Sequence, residues 1–593
     1  MMIFAAGSGI VAIPTHSTEK RCNEDLKRLT GIRLFFPSGE AFEEFKRVLM
    51  LPALSMESRK DREWGDFQTP PGLADQVCNY LVEIGLSPGV IIEPTYGAGN
   101  FILAVLKSFP TAKLVYGVEI QEKYEWHLKL ALLTEALRGH RASAEIELHK
   151  DNIFTHRFSD EIIRSQDILL IGNPPWVTSA DLGALDSLNL PAKRNVKRLN
   201  GMDAMTGKSN FDIGEFVLLR MLDLFSGRRG TLAMLCKNSV IKNILEILPK
   251  RRFKVSNIRA LEIDASREFG ASVDASLLVM DMGSSHPAFI CQVATLDHPN
   301  RATRAFGWVH SKFVSNVEDY KSNFELDGES PLVWRQGLKH DCARIMELDV
   351  RDMAWVNGNG EVVDVEDEWV YWLLKSSDLR GFEVDRARKK VIVTQRRLGE
   401  NTSNLQKDAP KLWEYLVRNR EYFEKRKSRI YSNGPPFSIF GVGEYSFKAY
   451  KVAISGLYKE PRFSVVLPIE DSPVMLDDTC YFLSFNTYLE ALFTASVLNS
   501  PIVRQFLQSI VFIDAKRPYT KEVLMRIDLA RATSPLSFPT LRRLWVDIGY
   551  SPTVSVVESD FEEYKQRLSI IAGRGEGFQI GLFSDQAERD ITG

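Results

Sequence analysis

The chain predicts an α/β domain with a mostly parallel sheet, followed by a second domain of mixed α and β character. Three observations carry this. From about Phe67 to Met282, short apolar runs alternate with amphipathic segments, as strands joined by crossover helices do. After Gly283 the alternation fades, and Asp297–Pro299 with its polar neighbours reads as a boundary region. The length, 593 residues, exceeds what one hydrophobic core organises.

In order, residues 1–60 form an N-terminal extension with one helix, Glu40–Leu49. The first domain, 61–285, holds strands at Val90–Glu93, Lys113–Glu119, Glu145–Leu148, Asp167–Gly172, Gly230–Leu235, Ala260–Ile263 and Ala275–Met280. Helices fall between them, including Phe101–Ser108, Tyr124–Arg138 and Gly214–Phe225. Residues 286–329 connect to the second domain, 330–593, with basic runs at Arg386–Lys390, Gln395–Arg397 and Lys425–Arg429 and one helix over Leu489–Gln508. No internal repeat or low-complexity block interrupts the chain.

Apolar residues make up 44% and charged residues 26%, as in a globular protein. Lys and Arg number 75 against 77 Asp and Glu, so contact with nucleic acid has to come from local basic patches. The six cysteines are scattered and form no CxxC pair, which points to reduced thiols and no metal site. The opening MMIFAAGSGIVAIP lacks a basic flank, and no later run has transmembrane length, so a cytoplasmic protein without a membrane partner is expected.

Val90–Glu93 followed by Pro94-Thr95-Tyr96-Gly97-Ala98-Gly99-Asn100-Phe101 reads as a strand, a glycine turn and a helix start. Gly97 and Gly99 let backbone pass close to a ligand where a Cβ would collide. Glu119 ends the next strand, where α/β nucleotide folds bind ribose hydroxyls. Asp151-Asn152-Ile153-Phe154 follows the third strand and offers an acceptor for an adenine amino group with apolar cover. Asp151 by itself also suits a helix cap. With no glycine-lysine-serine phosphate loop, a triphosphate is disfavoured; S-adenosylmethionine has ribose and adenine without phosphate and suits an acidic loop.

Asn173-Pro174-Pro175-Trp176 directly follows the apolar run Ile168–Gly172. An exocyclic amino nitrogen is a poor nucleophile because its lone pair is delocalised into the ring. Two acceptors aimed at its N–H bonds favour a pyramidal nitrogen. The Asn173 side-chain carbonyl and the Pro174 backbone carbonyl supply them, proline stiffness holds them, and Trp176 offers a stacking face to a base that has left its duplex. A rigid strand-end turn with no further role is the competing reading.

These residues resemble the amino-group DNA methyltransferases of restriction-modification and related defence systems, specifically N6-adenine enzymes of the gamma arrangement, across 60–285 and more loosely beyond. The resemblance implies a Rossmann-like S-adenosylmethionine-dependent domain, a C-terminal target recognition domain, and double-stranded DNA as partner, with a separate restriction subunit acting beside it. It implies a nucleoid association as well. Phe67-Gln68-Thr69-Pro70-Pro71 looks like the element that helps hold the donor's methionine moiety, giving Thr69 and Pro70 that role. Glu93, Pro94, Gly97, Gly99 and Phe101 match the donor loop, Glu119 the ribose acid, and Asp151 with Asn152 the adenine contact. Asn173, Pro174, Pro175 and Trp176 match the catalytic tetrapeptide, although tyrosine or phenylalanine is more frequent last. Asn210–Phe216 is similar to the next motif. Arg267-Glu268-Phe269-Gly270-Ala271 is similar to the segment whose aromatic packs on the flipped base, so Phe269 is a second stacking candidate or an ordinary core aromatic. Lys237-Asn238 departs from the family, which often has proline there.

The basic cluster Lys193, Arg194, Lys197 and Arg198 follows the catalytic turn and suits phosphates around an extruded base. Pro410–Leu416 and Leu498-Asn499-Ser500 look like parts of recognition domains. Cytosine C5 chemistry is disfavoured by the absence of a Pro-Cys dipeptide, and no acid-acid-lysine nuclease set is visible, so modification without cleavage is expected. An RNA adenine or protein-glutamine enzyme, or an inactive DNA-binding subunit, remain as alternatives.

Overall fold

The computed structural model describes residues 2–6, 9–13, 18–48, 67–177, 212–351, 354–432 and 434–573. They divide into two compact units, Met1–Phe313 and Val314–Gly593.

The first unit opens with a hairpin, β1 (Met2–Ala6) and β2 (Gly9–Ile13), then α1 (Glu19–Thr30) and α2 (Gly39–Val48). Next come α3 (Pro71–Glu83), β3 (Val90–Glu93), α4 (Asn100–Ser108), β4 (Leu114–Glu119), α5 (Glu122–Leu137), β5 (Glu145–Lys150), α6 (Asp160–Arg164) and β6 (Ile168–Gly172). After the undescribed stretch follow α7 (Ile213–Phe225), β7 (Gly230–Lys237), α8 (Asn238–Ile247), β8 (Val255–Ile263), α9 (Ala265–Phe269), β9 (Ala275–Met282), β10 (Ile290–Thr295), β11 (Arg304–Val309) and β12 (Lys312–Val314).

One sheet runs in the order β12-β11-β10-β8-β9-β7-β6-β3-β4-β5. Strands β5, β4, β3, β6 and β7 are parallel, and β9 enters antiparallel between β7 and β8. This is a Rossmann-like α/β sheet. Its central strand β6, Ile-Leu-Leu-Ile-Gly, is buried at every position, as a strand covered on both faces requires. Strands β4 and β5 are added on one side of β3, whereas β6 and β7 are added on the other. Such a reversal leaves a crevice beyond the carboxyl ends of β3 and β6, where ligands of these folds sit.

The segment expected as a mere extension is built into this domain. Cys22, Leu26, Ile32, Phe35 and Phe36 belong to the same core as α3 and the sheet. Gly31 O accepts from Ile146 N at 2.9 Å and Arg33 N donates to Ile146 O at 2.8 Å, so this stretch pairs with the outer edge of β5. An open strand edge is a template for unwanted pairing, and covering it removes that hazard. Each buried phenylalanine adds roughly 2–3 kcal/mol of apolar transfer. Residues 286–329, expected as a connection, contain β10 and β11, which continue the sheet. Period-two patterning in Ile290–Thr295 is exposed-buried-exposed-buried only over its first four residues, too short to stand out in the sequence.

The second unit carries two five-stranded sheets. One is ordered β13 (Arg335–Gln336), β22 (Cys480–Phe485), β19 (Tyr450–Ser455), β20 (Phe463–Val466), β17 (Glu383–Val384); the other β15 (Ala354–Asn357), β14 (Glu347–Arg351), β18 (Lys389–Ile392), β16 (Val370–Leu374), β21 (Met475–Leu476). The helix α10 (Pro410–Arg418) sets Leu412, Tyr415 and Leu416 into the core of the second sheet. The single helix expected over Leu489–Gln508 is two, α11 (Tyr488–Leu498) and α12 (Pro501–Ile510). Pro501 has no N–H to continue a helix and opens a new one at its first position. All six cysteines are buried and free. No helix among the described residues is long and apolar enough to cross a membrane.

Candidate active site

The ends of β3, β4, β5 and β6, with the strap Phe67–Thr69, enclose a cleft of about 980 Å³, open mouth included. Among the described residues its lining holds three acids, Glu93, Glu119 and Asp151, and no Lys, Arg or His. A site of this charge favours a cationic ligand and repels phosphate.

The glycine turn is conformationally demanding. Gly97 has φ +49° and Gly99 φ +82°, values that suit glycine. A Cβ on Gly97 would lie 2.5 Å from Gln68 Oε1, and one on Gly99 2.5 Å from Leu128 Cδ1. These close contacts are with the ends of the protein's own Gln68 and Leu128 side chains, which would have to shift, and they add an internal reason for glycine to the ligand approach expected from the sequence. Gln68 Oε1 accepts from Ala98 N at 2.6 Å, and Thr69 O accepts from Asn100 Nδ2 at 2.8 Å, which ties the strap to the turn. Pro70 precedes α3 and its carbonyl accepts from Ala74 N at 3.1 Å. Pro94 and the buried Phe101 line the cleft.

Glu119 is buried and accepts three backbone N–H bonds, from Gly97 at 3.0 Å, Ile120 at 2.9 Å and Gln121 at 2.9 Å. The carboxylate thus fixes the turn and keeps acceptor capacity toward the cleft. Glu93, 2% exposed, is different: its Oε2 has no hydrogen-bond partner among the described residues. Burial, and then the neighbouring Glu119 charge, hold its carboxyl well above the usual range. Asp151 lies at the far wall; its Oδ1 accepts from Asn152 N at 2.7 Å and its Oδ2 pairs with His156 Nδ1 at 2.7 Å. Asn152 lines the same wall and its Oδ1 accepts from Phe154 N at 2.9 Å.

On the β6 side, Asn173 Nδ2 donates to Phe67 O at 2.9 Å. A carbonyl only accepts, so the nitrogen of the amide must face it, and Oδ1 is turned the other way. That oxygen is buried and without a partner among the described residues. A buried unpaired acceptor costs about 1–3 kcal/mol, and native structures keep such groups for a purpose. Pro174 and Pro175 line the cleft beside it.

Trp176 does not line the cleft. It is 7% exposed and packs against Phe67, with centroids 5.7 Å apart, and edge-to-face against Phe269 at 5.0 Å. The structure thus brings both stacking candidates together but leaves no room for a third ring between them. Lys237, where the family often has proline, donates to Trp176 O at 3.3 Å and pairs with Asp212, which caps α7. Sequence reasoning left this ion pair out because nothing in either residue's neighbourhood marks a link between β7 and α7. It also passed over His156, whose only signal is its place five residues after Asp151. Lys193, Arg194, Lys197 and Arg198 lie outside the described residues.

No protein-family model matches the chain. A curated relative from Nostoc sp., the type II methyltransferase M.NspV, is 38% identical over 469 residues, 79% of this chain and 96% of that protein. The chain belongs to the type II methyltransferases. Among solved structures, the type IIL restriction-modification enzyme MmeI in complex with DNA is 11% identical at a TM-score of 0.47, covering 92% of this chain and 76% of that one. The type IIG restriction endonuclease BpuSI is 14% identical at a TM-score of 0.33, covering 90% and 68%.

The cofactor of this restriction-modification methyltransferase is S-adenosylmethionine. The residues fit it: a buried carboxyl with one oxygen unpaired for an ammonium or sulfonium charge, a tied-down acid at the end of β4 for ribose hydroxyls, and, among the described residues, no base in the lining for a phosphate.

Proposed function

We propose that this methyltransferase methylates the N6 amino group of an adenine flipped out of double-stranded DNA, at a specific sequence and without cleaving it, alongside a separate restriction subunit. The supporting observation is the Asn173 amide, held by Phe67 O so that its buried oxygen is left open beside Pro174.

Thr69, Glu93, Gly97, Gly99 and Glu119 hold the ribose and methionine parts of the donor, while Asp151 and Asn152 face its adenine. S-adenosylmethionine supplies a sulfonium-bound methyl group open to attack by a nitrogen lone pair. Asn173 Oδ1 accepts one N–H of the target amino group and the Pro174 carbonyl accepts the other. This draws the nitrogen lone pair out of conjugation with the ring, and the amino group gives up one proton after transfer. Asparagine favours adenine, because cytosine-N4 enzymes of this design usually carry serine there. Trp176 and Phe269 stack on the extruded base once their edge-to-face contact opens. The basic cluster 193–198 holds phosphates, and the second unit reads the sequence.

Sequencing that detects modified bases in DNA from cells expressing the protein tests this directly. N6-methyladenine confined to one sequence motif is expected. Modified cytosine, or no modification, would refute it.

A further inference from the structure

The wall of the cleft that carries Asp151 is backed by a chain of buried polar groups. The turn after β5 closes with Thr155 N and His156 N both donating to Asn152 O, at 2.9 and 2.8 Å. That turn brings the His156 ring back beneath Asp151. The ring is 6% exposed, with Nδ1 at 2.7 Å from Asp151 Oδ2 and Nε2 at 2.8 Å from Tyr116 Oη. A carboxylate only accepts, so Nδ1 carries a proton. With Nδ1 donating to Asp151, Nε2 faces the Tyr116 hydroxyl, so both ring nitrogens are partnered.

The row is itself braced. Tyr116, on β4, stacks on His149 of β5 with centroids 4.4 Å apart, and Phe158 packs edge-to-face on His156 at 4.9 Å. Arg220, on α7, donates to His156 O at 2.5 Å. The ring is thus held by Asp151, by Tyr116 of β4 and by Phe158, its main chain by Arg220 of α7, and it does not line the cleft but reaches it through Asp151. Asp151 by contrast is nearly half exposed and lines the cleft. Desolvation raises its carboxyl, but the His156 hydrogen bond and the Asn152 N–H outweigh this and hold it below its ordinary value. An ionised acceptor with a fixed orientation is what an amino group on a planar ring needs from its partner.

We propose that His156, held by Tyr116, is a positioning residue that orients Asp151 to recognise the 6-amino group of the donor's adenine. Its role is donor specificity, and it takes no part in methyl transfer. This rests on the reading of Asp151 as the adenine contact.

The test uses binding to the DNA-free full chain, by titration calorimetry, of S-adenosylhomocysteine and of its inosine counterpart, in which a 6-oxo group replaces the 6-amino group. Wild type should prefer the amino ligand by roughly tenfold or more, the cost of leaving a charged acceptor unpaired. His156→Phe should weaken S-adenosylhomocysteine roughly tenfold and bring the preference close to one, while kcat at saturating donor and DNA stays within about twofold. Tyr116→Phe, which removes one hydroxyl and keeps the packing, should shift the preference in the same direction by about threefold, and decides the matter if His156→Phe does not fold. A wild type that does not discriminate overturns the assignment of Asp151 to the adenine. A wild type that discriminates, with folded variants that discriminate equally well, overturns the role of His156 alone.

Discussion

The two halves of the cleft are finished to different degrees. On the β4 and β5 side, Glu119 already accepts three backbone N–H bonds and Asp151 is locked by Asn152 and His156. On the β6 side, Asn173 Oδ1 has no partner among the described residues, and the aromatic rings expected to receive a base are packed on one another. The difference teaches an order of events. On the proposed reading the donor half is formed in advance, whereas the acceptor half holds an unsatisfied group and a closed aromatic contact for an incoming base to resolve. Glu93, at the end of β3 between β4 and β6, lines the same cleft with one buried oxygen unpaired among the described residues.

Substitutions on the two sides should separate cleanly. The largest effect falls on the acceptor side: Asn173→Ala should lower kcat by about 10³-fold or more, measured with labelled donor, while donor affinity changes by less than about twofold. A variant of wild-type rate would end the proposed role of the amide. Glu119→Ala should do the reverse, weakening the donor by on the order of 100-fold, since a charged acceptor is removed and the glycine turn loses its tie. If it altered kcat alone, the division into halves would be wrong.

Glu93→Gln should weaken the donor by about tenfold and remove a pH dependence. Because burial and Glu119 raise its carboxyl well above the ordinary range, wild-type affinity for a cationic donor should rise with pH as Glu93 ionises, and the variant's should be flat. The linkage to stability runs the other way. With the folded value above the unfolded one, the free protein loses stability as pH climbs from the ordinary carboxylate range to the raised value, and the loss then levels off. Glu93→Gln should therefore raise the melting temperature of the donor-free protein at neutral pH. The smallest effect is expected from Phe269→Ala, which frees one face of Trp176: a few-fold change in KM for DNA, with donor affinity unchanged. A change in donor affinity instead would make Phe269 an ordinary core residue.

Much of this was legible in the sequence, for reasons that differ between elements. The expected strand Val90–Glu93 coincides with β3, and Asp167–Gly172 differs from β6 by one residue, because strands buried on both faces leave unbroken apolar runs. Glu93, Gly97, Glu119, Asp151, Asn152, Asn173, Pro174 and Pro175, from the ends of β3, β4, β5 and β6, line one cleft, whereas Gly99 and Trp176 do not, since a parallel sheet sends all its carboxyl ends the same way but does not fix which side chains face the crevice. What the sequence hid were contacts between distant segments. The pairing of Gly31 and Arg33 with the β5 edge has no local pattern, and neither does the bond from Asn173 to Phe67, 106 residues away. The packing of Trp176 was hidden as well. Its aromatic face was readable, but whether a ring is open or covered depends on Phe67 and Phe269, which arrive from elsewhere in the chain.

The contrast between the halves is tested most directly by titrating S-adenosylmethionine into the full chain with and without duplex DNA. A donor half formed in advance predicts one-site binding without DNA, with an affinity within about threefold of that measured in its presence. Binding that appears only after DNA is added would contradict it.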